Sequence, residues 1–455
     1  MANTYLQRTV GTPTNAQKYT YSFWIKRCKL SGGTTELFLL DGYADSSNRA
    51  KIAFNSNEVF EIWNSNAGSF TFQLSPPRKF RDTNAWYHII LSVDTTQSTA
   101  SDRVKLYVNG VQETSLGSTT YPSLNDANNT INESGTTFSI MAYGGNASSN
   151  DFRLSSIMSH IHFTDGYAYD ASTFGETDAT TGIWKPITEP SVTYGNNGFF
   201  LKFENSGSMG LDSSGNANNF TVNGSLTQTV DTPSNVFTTW NPLENYYQSA
   251  TLSNGNTTIQ TGSSQYSPSS STLGVSSGKW YWEVEYDALS GGSDVAYVGV
   301  LSQFATNSTT SLGTNANDYG YYVNGNYYNN NTGTAYGTTY TTGDIIGVAL
   351  DLDNNKLYFS KNGTWQNSGD PESGATWTGA ISITNPTSTT NGAYFPSICD
   401  GSSSANATFK TNFGNGYFGT TPVASAGSNG NGSIFEFDCP SGYYALNTKN
   451  INTYG

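Results

Sequence analysis

Short runs of alternating apolar and polar residues recur along this chain, and turn residues separate them at short intervals. One run, Tyr19–Arg27, alternates as a half-buried β-strand does. Another run, Arg103–Val111, contains Asn109-Gly110, the pair that favours a type I′ hairpin turn. Because a period of two places apolar side chains on one face of a strand, these runs predict antiparallel sheets that pack face to face.

The series of strands starts again in the second half of the chain. Gly278–Tyr286 is a new aromatic strand, and Asp344–Phe359 has the pattern of two strands around a polar turn. A length of 455 residues suits two β domains of roughly 200 residues each. We therefore predict domains at residues 1–240 and 241–455, and we expect residues 205–262 to form ordered strands and a packed connector.

Composition favours strands over helices. The chain has 30 Tyr, 24 Phe and 9 Trp, which supply large buried surfaces even though hydrophobic residues make up only 35%. Gly, Ser, Thr and Asn are abundant, as expected for strands joined by tight turns. We predict an all-β protein of two antiparallel β-sandwich (jelly-roll) domains with very little helix.

The charge balance limits the partners. There are 34 acidic and 20 basic residues, and the net charge of -14 opposes binding to nucleic acid or to an anionic membrane. A neutral ligand such as a glycan is easier to accommodate. Residues 1–13 have no basic segment followed by an apolar one, and no apolar run approaches the roughly 20 residues that span a bilayer. We expect synthesis in a cytoplasm and no membrane insertion.

The first half resembles a concanavalin A-like, laminin-G-type sandwich over about residues 1–225. The segments that carry this resemblance are, in order, SFWIKR, AWYHIILSVDTT and DRVKLYVNGV. The second half resembles a SPRY domain over about residues 245–435. Its segments are GKWYWEVEY, AYVGV, TTGDIIGVALDLDNNKLYFSKNGTW, YFPSI and FKTNFG. These resemblances imply a concanavalin A-like domain followed by a SPRY-like domain.

The segments between these motifs are similar to parts of marine tailed-phage virion proteins. They are MSHIHFTDGYAYDASTFGETDATTGIWKP, GLDSSGNANNFTV and DTPSNVFTTWNPL. This resemblance implies a virion structural protein, made in the host cytoplasm and located at the virion surface in a tail fibre, spike or capsid appendage. It also implies that the partners are other virion proteins and a host-surface glycan or receptor, and that the chain forms a homo-oligomer, with a trimer as the expected form.

Metal and nucleophile motifs are weak. His160 and His162 flank Ile161, with Asp165 nearby, and an H-x-H pair can bind zinc or copper. No third ligand matches, so we interpret them as a hydrogen-bonded structural pair. No G-x-S-x-G motif is present. Three scattered cysteines form no CxxC pair, so core packing is expected for each. They are Cys28, Cys399 and Cys439.

Two loops have the alternating oxygen side chains of calcium loops. They are Asp212–Asn216 and Asp351–Asn354. Both lack the downstream bidentate Glu of an EF-hand, and Asx turns that hydrogen-bond to their own backbone explain them. We predict no cofactor and no metal, and bound calcium is the open alternative because concanavalin A-like folds sometimes hold it.

The candidate binding residues lie in a Tyr- and Asn-rich stretch between the AYVGV and TTGDIIGV segments, which we expect to be poor in strands. Aromatic faces with amides suit the C–H faces and hydroxyls of sugars, and loops of this composition also bind proteins. Tyrosines that merely fill the flank of the sandwich are the alternative. The predicted ligand contacts are Tyr319, Tyr321, Tyr322, Tyr327 and Tyr328, with Trp365 as a neighbour.

Three functions fit these observations. The first is a non-enzymatic attachment protein whose sandwiches bind a host-surface glycan. The second is an architectural decoration protein whose loops contact other virion subunits. The third is a glycoside hydrolase, because Glu283, Glu285 and Asp287 alternate on one strand and two carboxyl groups at suitable spacing hydrolyse glycosides. We expect these acids to face solvent as the polar side of a sandwich strand, and we predict no enzyme activity.

Overall fold

Strands dominate the described parts of the chain, which are residues 4–30, 36–144, 155–292 and 295–455 of the computed structural model. They form two compact units, Met1–Gln228 and Thr229–Gly455, and each has its own hydrophobic core. Both units are antiparallel β-sandwiches, which confirms the predicted all-β class. Among the described residues, no helix is long and apolar enough to span a membrane.

The first unit packs an eight-stranded sheet, in the order β10-β6-β5-β4-β3-β11-β1-β16, on a six-stranded sheet, in the order β15-β12-β2-β7-β8-β9. The strands are β1 (Tyr5–Thr9), β2 (Lys18–Arg27), β3 (Leu37–Tyr43), β4 (Arg49–Phe54), β5 (Phe60–Asn66), β6 (Ser69–Ser75), β7 (Trp86–Asp94), β8 (Val104–Val108), β9 (Val111–Gln112), β10 (Ser118–Thr120), β11 (Thr137–Ile140), β12 (Ser156–Asp165), β13 (Gly175–Thr177), β14 (Trp184–Pro186), β15 (Phe199–Leu201) and β16 (Thr221–Asn223). Short 3-10 helices span Ala100–Asp102, Thr130–Asn132 and Ala171–Thr173.

The second unit packs a sheet of nine strands on a sheet of six. The nine-stranded sheet has the order β17-β18-β30-β20-β25-β26-β27, with β28 beside β26 and β33 beside β20, and the six-stranded sheet has the order β19-β29-β21-β22-β23-β24. The strands are β17 (Thr251–Ser253), β18 (Thr258–Gln260), β19 (Ser269–Ser270), β20 (Lys279–Ser290), β21 (Ala296–Leu301), β22 (Tyr319–Tyr322), β23 (Asn326–Asn329), β24 (Thr332–Ala335), β25 (Ile345–Asp351), β26 (Lys356–Lys361), β27 (Thr364–Trp365), β28 (Ile381–Ser382), β29 (Phe395–Asp400), β30 (Asn406–Asn412), β31 (Tyr417–Phe418), β32 (Thr421–Pro422) and β33 (Tyr444–Ala445). The helices are the 3-10 segments Gln366–Ser368, Gly374–Thr376 and Pro386–Ser388 and the α-helix α1 (Thr448–Tyr454).

Both predicted hairpins are present. The turn between β8 and β9 has left-handed backbone at Asn109 (φ 48°) and Gly110 (φ 81°), as a type I′ turn requires. Strands β25 and β26 form the second hairpin, in which Asp351 pairs with Lys356. Local turn chemistry and alternation were therefore sufficient to place these strands.

Strand β2 is buried on both faces, whereas its pattern predicted a half-buried strand. Tyr21 and Phe23 point into the core between the sheets. On the other face Trp24 stacks on His88, with ring centroids 4.5 Å apart. A later part of the chain covers that face, because the indole N–H of Trp184 donates a hydrogen bond of 2.9 Å to Nδ1 of His88.

The segment 229–240 belongs to the second unit, although the sequence placed it in the first domain. Trp240 is fully buried in the second core, and its indole N–H donates to the Thr411 hydroxyl at 3.1 Å. Phe237 packs beside Tyr281 in a smaller cluster of the same unit. These two aromatic side chains explain why the division falls after Gln228.

The Tyr- and Asn-rich stretch is also more regular than expected. Instead of a strand-poor loop, it forms the meander β22-β23-β24 at the edge of the six-stranded sheet. Gly325 (φ 89°) lies in the first turn, and Asn330 (φ 49°) and Asn331 (φ 55°) form the second. Gly and Asn tolerate left-handed backbone, so residues that resemble loop composition here make tight hairpins.

Candidate functional site

The predicted tyrosines divide between the two faces of the six-stranded sheet. Tyr321 is fully buried, stacks on Phe359 with centroids 5.3 Å apart, and donates its hydroxyl hydrogen to the Thr338 carbonyl. Burial raises the pKa of Tyr321 to about 12. Tyr319 is also buried, and its hydroxyl accepts the Thr384 N–H at 3.1 Å. The prediction that these two contact a ligand is corrected, because the pleat of β22 turns both into the core.

Tyr327 and Trp365 occupy separate places. Tyr327 is half-buried and packs edge-on against Tyr336, with centroids 5.9 Å apart. Trp365 is half-buried on the outer side of the nine-stranded sheet, where its ring lies 6.3 Å from Tyr281 and 6.4 Å from Tyr358. Trp365 therefore belongs to the opposite sheet from Tyr327 and is not its neighbour in a single surface.

Tyr322 and Tyr328 lie together on the outer face of the six-stranded sheet. Their centroids are 5.6 Å apart and the rings are perpendicular, at 88°. Tyr297 completes the cluster, 4.3 Å from Tyr322 and 5.7 Å from Tyr328. Tyr322 and Tyr328 are partly exposed, whereas Tyr297 is almost fully covered. We call these three side chains the tyrosine face.

Pairing between strands assembles the tyrosine face. Tyr297 of β21 lies directly opposite Tyr322 of β22, and Gly320 lies opposite Tyr328 of β23. Sequence reasoning missed Tyr297. Its position in the AYVGV run was the available signal, because alternate residues of a strand lie on the same face. Its partnership with Tyr322 depends on the register between strands, which no local pattern specifies.

Glycines leave room beside two of the rings. A Cβ atom on Gly333 would lie 2.9 Å from Cζ of Tyr328, and one on Gly320 would lie 3.1 Å from Cδ1 of Tyr297. A Cβ on Gly401 would lie 3.1 Å from Cε2 of Tyr297. Side chains at these positions would displace the rings, so the glycines position the tyrosine face.

The three acids of β20 do not form a free carboxylate pair. Glu283 is fully buried, in contrast to the predicted solvent-facing position. Its carboxylate accepts the backbone N–H groups of Glu436 and Phe437, both at 2.8 Å. The Asn412 amide and the Tyr281 hydroxyl also donate to it, each at 3.1 Å. Burial raises the pKa of Glu283 to about 7, and these donors act in the opposite direction.

The other two acids of β20 share one lysine. Lys410 forms ion pairs with Asp287 and, at 3.9 Å, with Glu285. Glycoside hydrolysis needs one carboxyl group as acid and a second as nucleophile or base, both facing the substrate. Since Glu283 is enclosed and the other two are paired, this strand does not present that arrangement.

Residues 434–446 cover Glu283, and we call this segment the C-terminal strap. It packs over the outer face of the nine-stranded sheet, and Phe435 lies 4.8 Å from Tyr281 in an edge-on contact. Cys439 is buried in the same cluster, as predicted for the cysteines. The strap therefore closes this outer face.

The two histidines of the H-x-H pair contact neighbouring side chains. The His162 ring stacks on Phe200 at 3.9 Å, and its Nδ1 lies 3.0 Å from the Tyr194 hydroxyl. His160 lies in a β-bulge with left-handed backbone (φ 45°), and its Nδ1 lies 2.6 Å from the Ser159 hydroxyl. Burial lowers the pKa of both rings.

In each oxygen-rich loop, the first aspartate accepts hydrogen bonds from donors of the protein itself. Asp212 accepts the N–H groups of Phe200 at 2.9 Å and of Ser214 at 2.8 Å, and its second oxygen accepts the Asn218 N–H at 2.8 Å. Asp351 accepts the Asn354 N–H at 3.0 Å. Across the described parts of the chain, no group of three His, Cys, Asp or Glu side chains is placed to hold a metal ion.

Each half of the chain is similar to a known domain family. Residues 2–151 match the Concanavalin A-like lectin/glucanases superfamily, and residues 279–416 match the SPRY domain. The C-terminal strap lies beyond the SPRY match. Domains of these two kinds typically serve as binding modules.

Individual relatives cover only parts of the chain. Over 89 residues the chain is 37% identical to Ran-binding protein 9 and to Ran-binding protein 10 of Danio rerio, which is 19% of this chain and 14% of each relative. The solved SPRY domain of human HERC1 is 19% identical, with a TM-score of 0.27, over 38% of this chain and 96% of that one.

Proposed function

We propose that this chain is a non-catalytic binding protein whose SPRY-like unit binds a host-surface glycan through Tyr322 and Tyr328. The observation that carries the proposal is the pair of partly exposed rings, fixed at right angles on the outer face of a sheet. Aromatic faces offer apolar contact area together with a hydroxyl group, which matches the mixed surface of a sugar ring. Because the rings are held by strands, little side-chain entropy is lost on binding.

The proposed setting is the surface of a tailed-phage virion. Its support is the similarity of three segments to virion proteins of such phages, DTPSNVFTTWNPL among them. The proposal includes synthesis in the host cytoplasm, contacts with other virion proteins and a symmetric homo-oligomer, specifically a trimer. The mass of the purified chain in solution tests the oligomer, and its position in an electron-microscopy map of the particle tests the setting.

The binding site is tested by replacing both partly exposed tyrosines with alanine, as the double variant Tyr322→Ala with Tyr328→Ala in the full chain. Each stacked ring contributes about 0.5–1.5 kcal/mol beyond its buried area, so binding on a glycan array should weaken at least about tenfold. Tyr246→Ala is the matched control, because this tyrosine is 85% exposed in the same unit and lies outside the tyrosine face.

Thermal unfolding of both variants separates loss of binding from loss of fold. The double variant should keep a cooperative transition, since both rings are already partly in water. Unchanged glycan binding by the double variant, or equal losses in the Tyr246→Ala control, would remove the tyrosine face from the site. If the wild-type chain binds no glycan at all, the proposed function itself is wrong.

A further inference from the structure

The six-stranded sheet of the second unit is almost free of charge. Its strands β19, β21, β22, β23, β24 and β29 contain no Lys, Arg or His residue, and their single acid is Asp400. The side chain of Asp400 is fully buried. The outer face that carries the tyrosine face therefore presents no charged side chain from these strands.

The chain around the tyrosine face continues this pattern. Within residues 295–343 the only charged side chain is Asp318. It too is fully buried, and it accepts the Ser302 N–H at 3.0 Å and the Asn315 amide at 2.8 Å. What remains exposed is hydroxyl, amide and aromatic surface. The exposed Asn324 is part of it, and its amide lies 3.3 Å from the Tyr328 hydroxyl.

The opposite sheet of the same sandwich differs sharply. Its strands carry Lys279, Lys356, Lys361 and Lys410, and three of these cations pair with carboxylates on the same sheet or beside it. The absence of charge around the tyrosine face is therefore a local property and does not follow from the 12% charged residues of the whole chain.

We infer that the ligand of the tyrosine face is an uncharged glycan, which rests on the proposed function and narrows it to one class. A sulfate, phosphate or carboxylate on a sugar would meet no cation from these six strands or from residues 295–343, and the net charge of -14 would repel it. Binding would rest on ring stacking and on hydrogen bonds with amides such as Asn324. Salt does not screen these contacts, so the affinity is independent of ionic strength.

The glycines beneath the rings give a test that leaves every tyrosine in place. Gly333 lies opposite Tyr328 in the register of β23 and β24, and its backbone is not left-handed, so alanine is compatible with it. The added Cβ would lie 2.9 Å from Cζ of Tyr328 and would push the ring away from its position. Gly333→Ala should weaken glycan binding about threefold to tenfold and leave the salt response unchanged.

The experiment places the full chain on an array that holds neutral, sulfated, uronic and sialylated glycans, at about 50 and 500 mM salt. We expect neutral glycans to bind with affinities within about twofold at the two salt concentrations. The Gly333→Ala variant should weaken this binding. Gly207→Ala in the first unit should not, because its Cβ would meet only the Asn205 side chain at 3.4 Å.

Three outcomes overturn the inference, and they are distinguishable from one another. Preferential binding of anionic glycans that weakens with salt and requires Tyr322 and Tyr328 would leave the proposed function intact and refute the neutral class. Binding to no glycan would refute the proposed function as well. The chain could instead bind a cell-surface extract. If protease treatment of that extract abolished binding and periodate oxidation did not, the tyrosine face would be assigned to a protein ligand.

Discussion

The two outer faces of the SPRY-like unit differ in charge and in exposure. The strands of the nine-stranded sheet contain charged residues, and the C-terminal strap covers the outer face of this sheet at Glu283. The face of the six-stranded sheet is uncharged and leaves Tyr322 and Tyr328 partly exposed. A sandwich needs only its inner faces for a core, so the outer faces are free to differ. One outer face is covered by the chain itself, and the other leaves open the rings for which we propose glycan binding.

The largest expected effect comes from replacing the neighbouring tyrosines of β22 one at a time. Tyr321→Ala should destabilise the second unit by about 3–5 kcal/mol, because it removes a fully buried ring from the core. Tyr322→Ala should cost about 1 kcal/mol or less, since its ring is partly exposed. Urea unfolding of the full chain measures both. Equal losses would mean that the two faces of this strand are not distinct.

A second test removes the carboxylate beneath the C-terminal strap. Glu283→Ala leaves two backbone N–H groups, the Asn412 amide and the Tyr281 hydroxyl without their acceptor, and should cost about 3 kcal/mol. Glu285→Ala on the same strand is the control and should cost about 0.5 kcal/mol, because its pairing with Lys410 is long and partly solvated. Glycan binding should survive in both variants. Loss of binding in Glu283→Ala, at a temperature where it is folded, would contradict the separation of the faces.

The smallest expected effect concerns the one acid of the six-stranded sheet. Burial raises the pKa of Asp400 to about 7, against the lowering effect of Thr261, Ser402 and Gln248. The folded chain then binds more protons than the unfolded chain between pH of about 4 and about 7, so this residue makes stability fall as pH rises through that window. Asp400→Asn should remove that slope and stabilise the unit at pH 8, where the carboxyl group is ionised. Urea unfolding at several pH values checks this, and a loss of stability at pH 8 would contradict it.

Local patterns predicted much of the fold. Asn109-Gly110 and the turn after Asp351 placed two hairpins, because the preferred residues of tight turns act within a few positions of each other. The same chemistry at Asn324-Gly325 forms a hairpin where the sequence predicts a strand-poor stretch, because the tyrosines and asparagines around it resemble a binding loop in composition.

The candidate site was only half predictable. The prediction selected the stretch of chain that contains Tyr322 and Tyr328, but it did not separate Tyr321 from Tyr322. That separation requires the strand to be recognised first. Tyr297 joins them from another strand, and Trp240 reaches Thr411 across 171 residues. Contacts of that range depend on the register of the whole sheet, which sequence periodicity leaves open.

The bond between Glu283 and the strap has a consequence for the order of events during synthesis. The backbone groups that enclose this carboxylate come 153 and 154 residues later in the chain. A ribosome delivers β20 long before them, so the nascent nine-stranded sheet exposes Tyr281 and an ionised Glu283 to water until the strap is made. Closure over such a distance is slow compared with hairpin formation. The strap therefore docks only after β20 has been made, and until then this part of the nascent chain is exposed to aggregation and to chaperones.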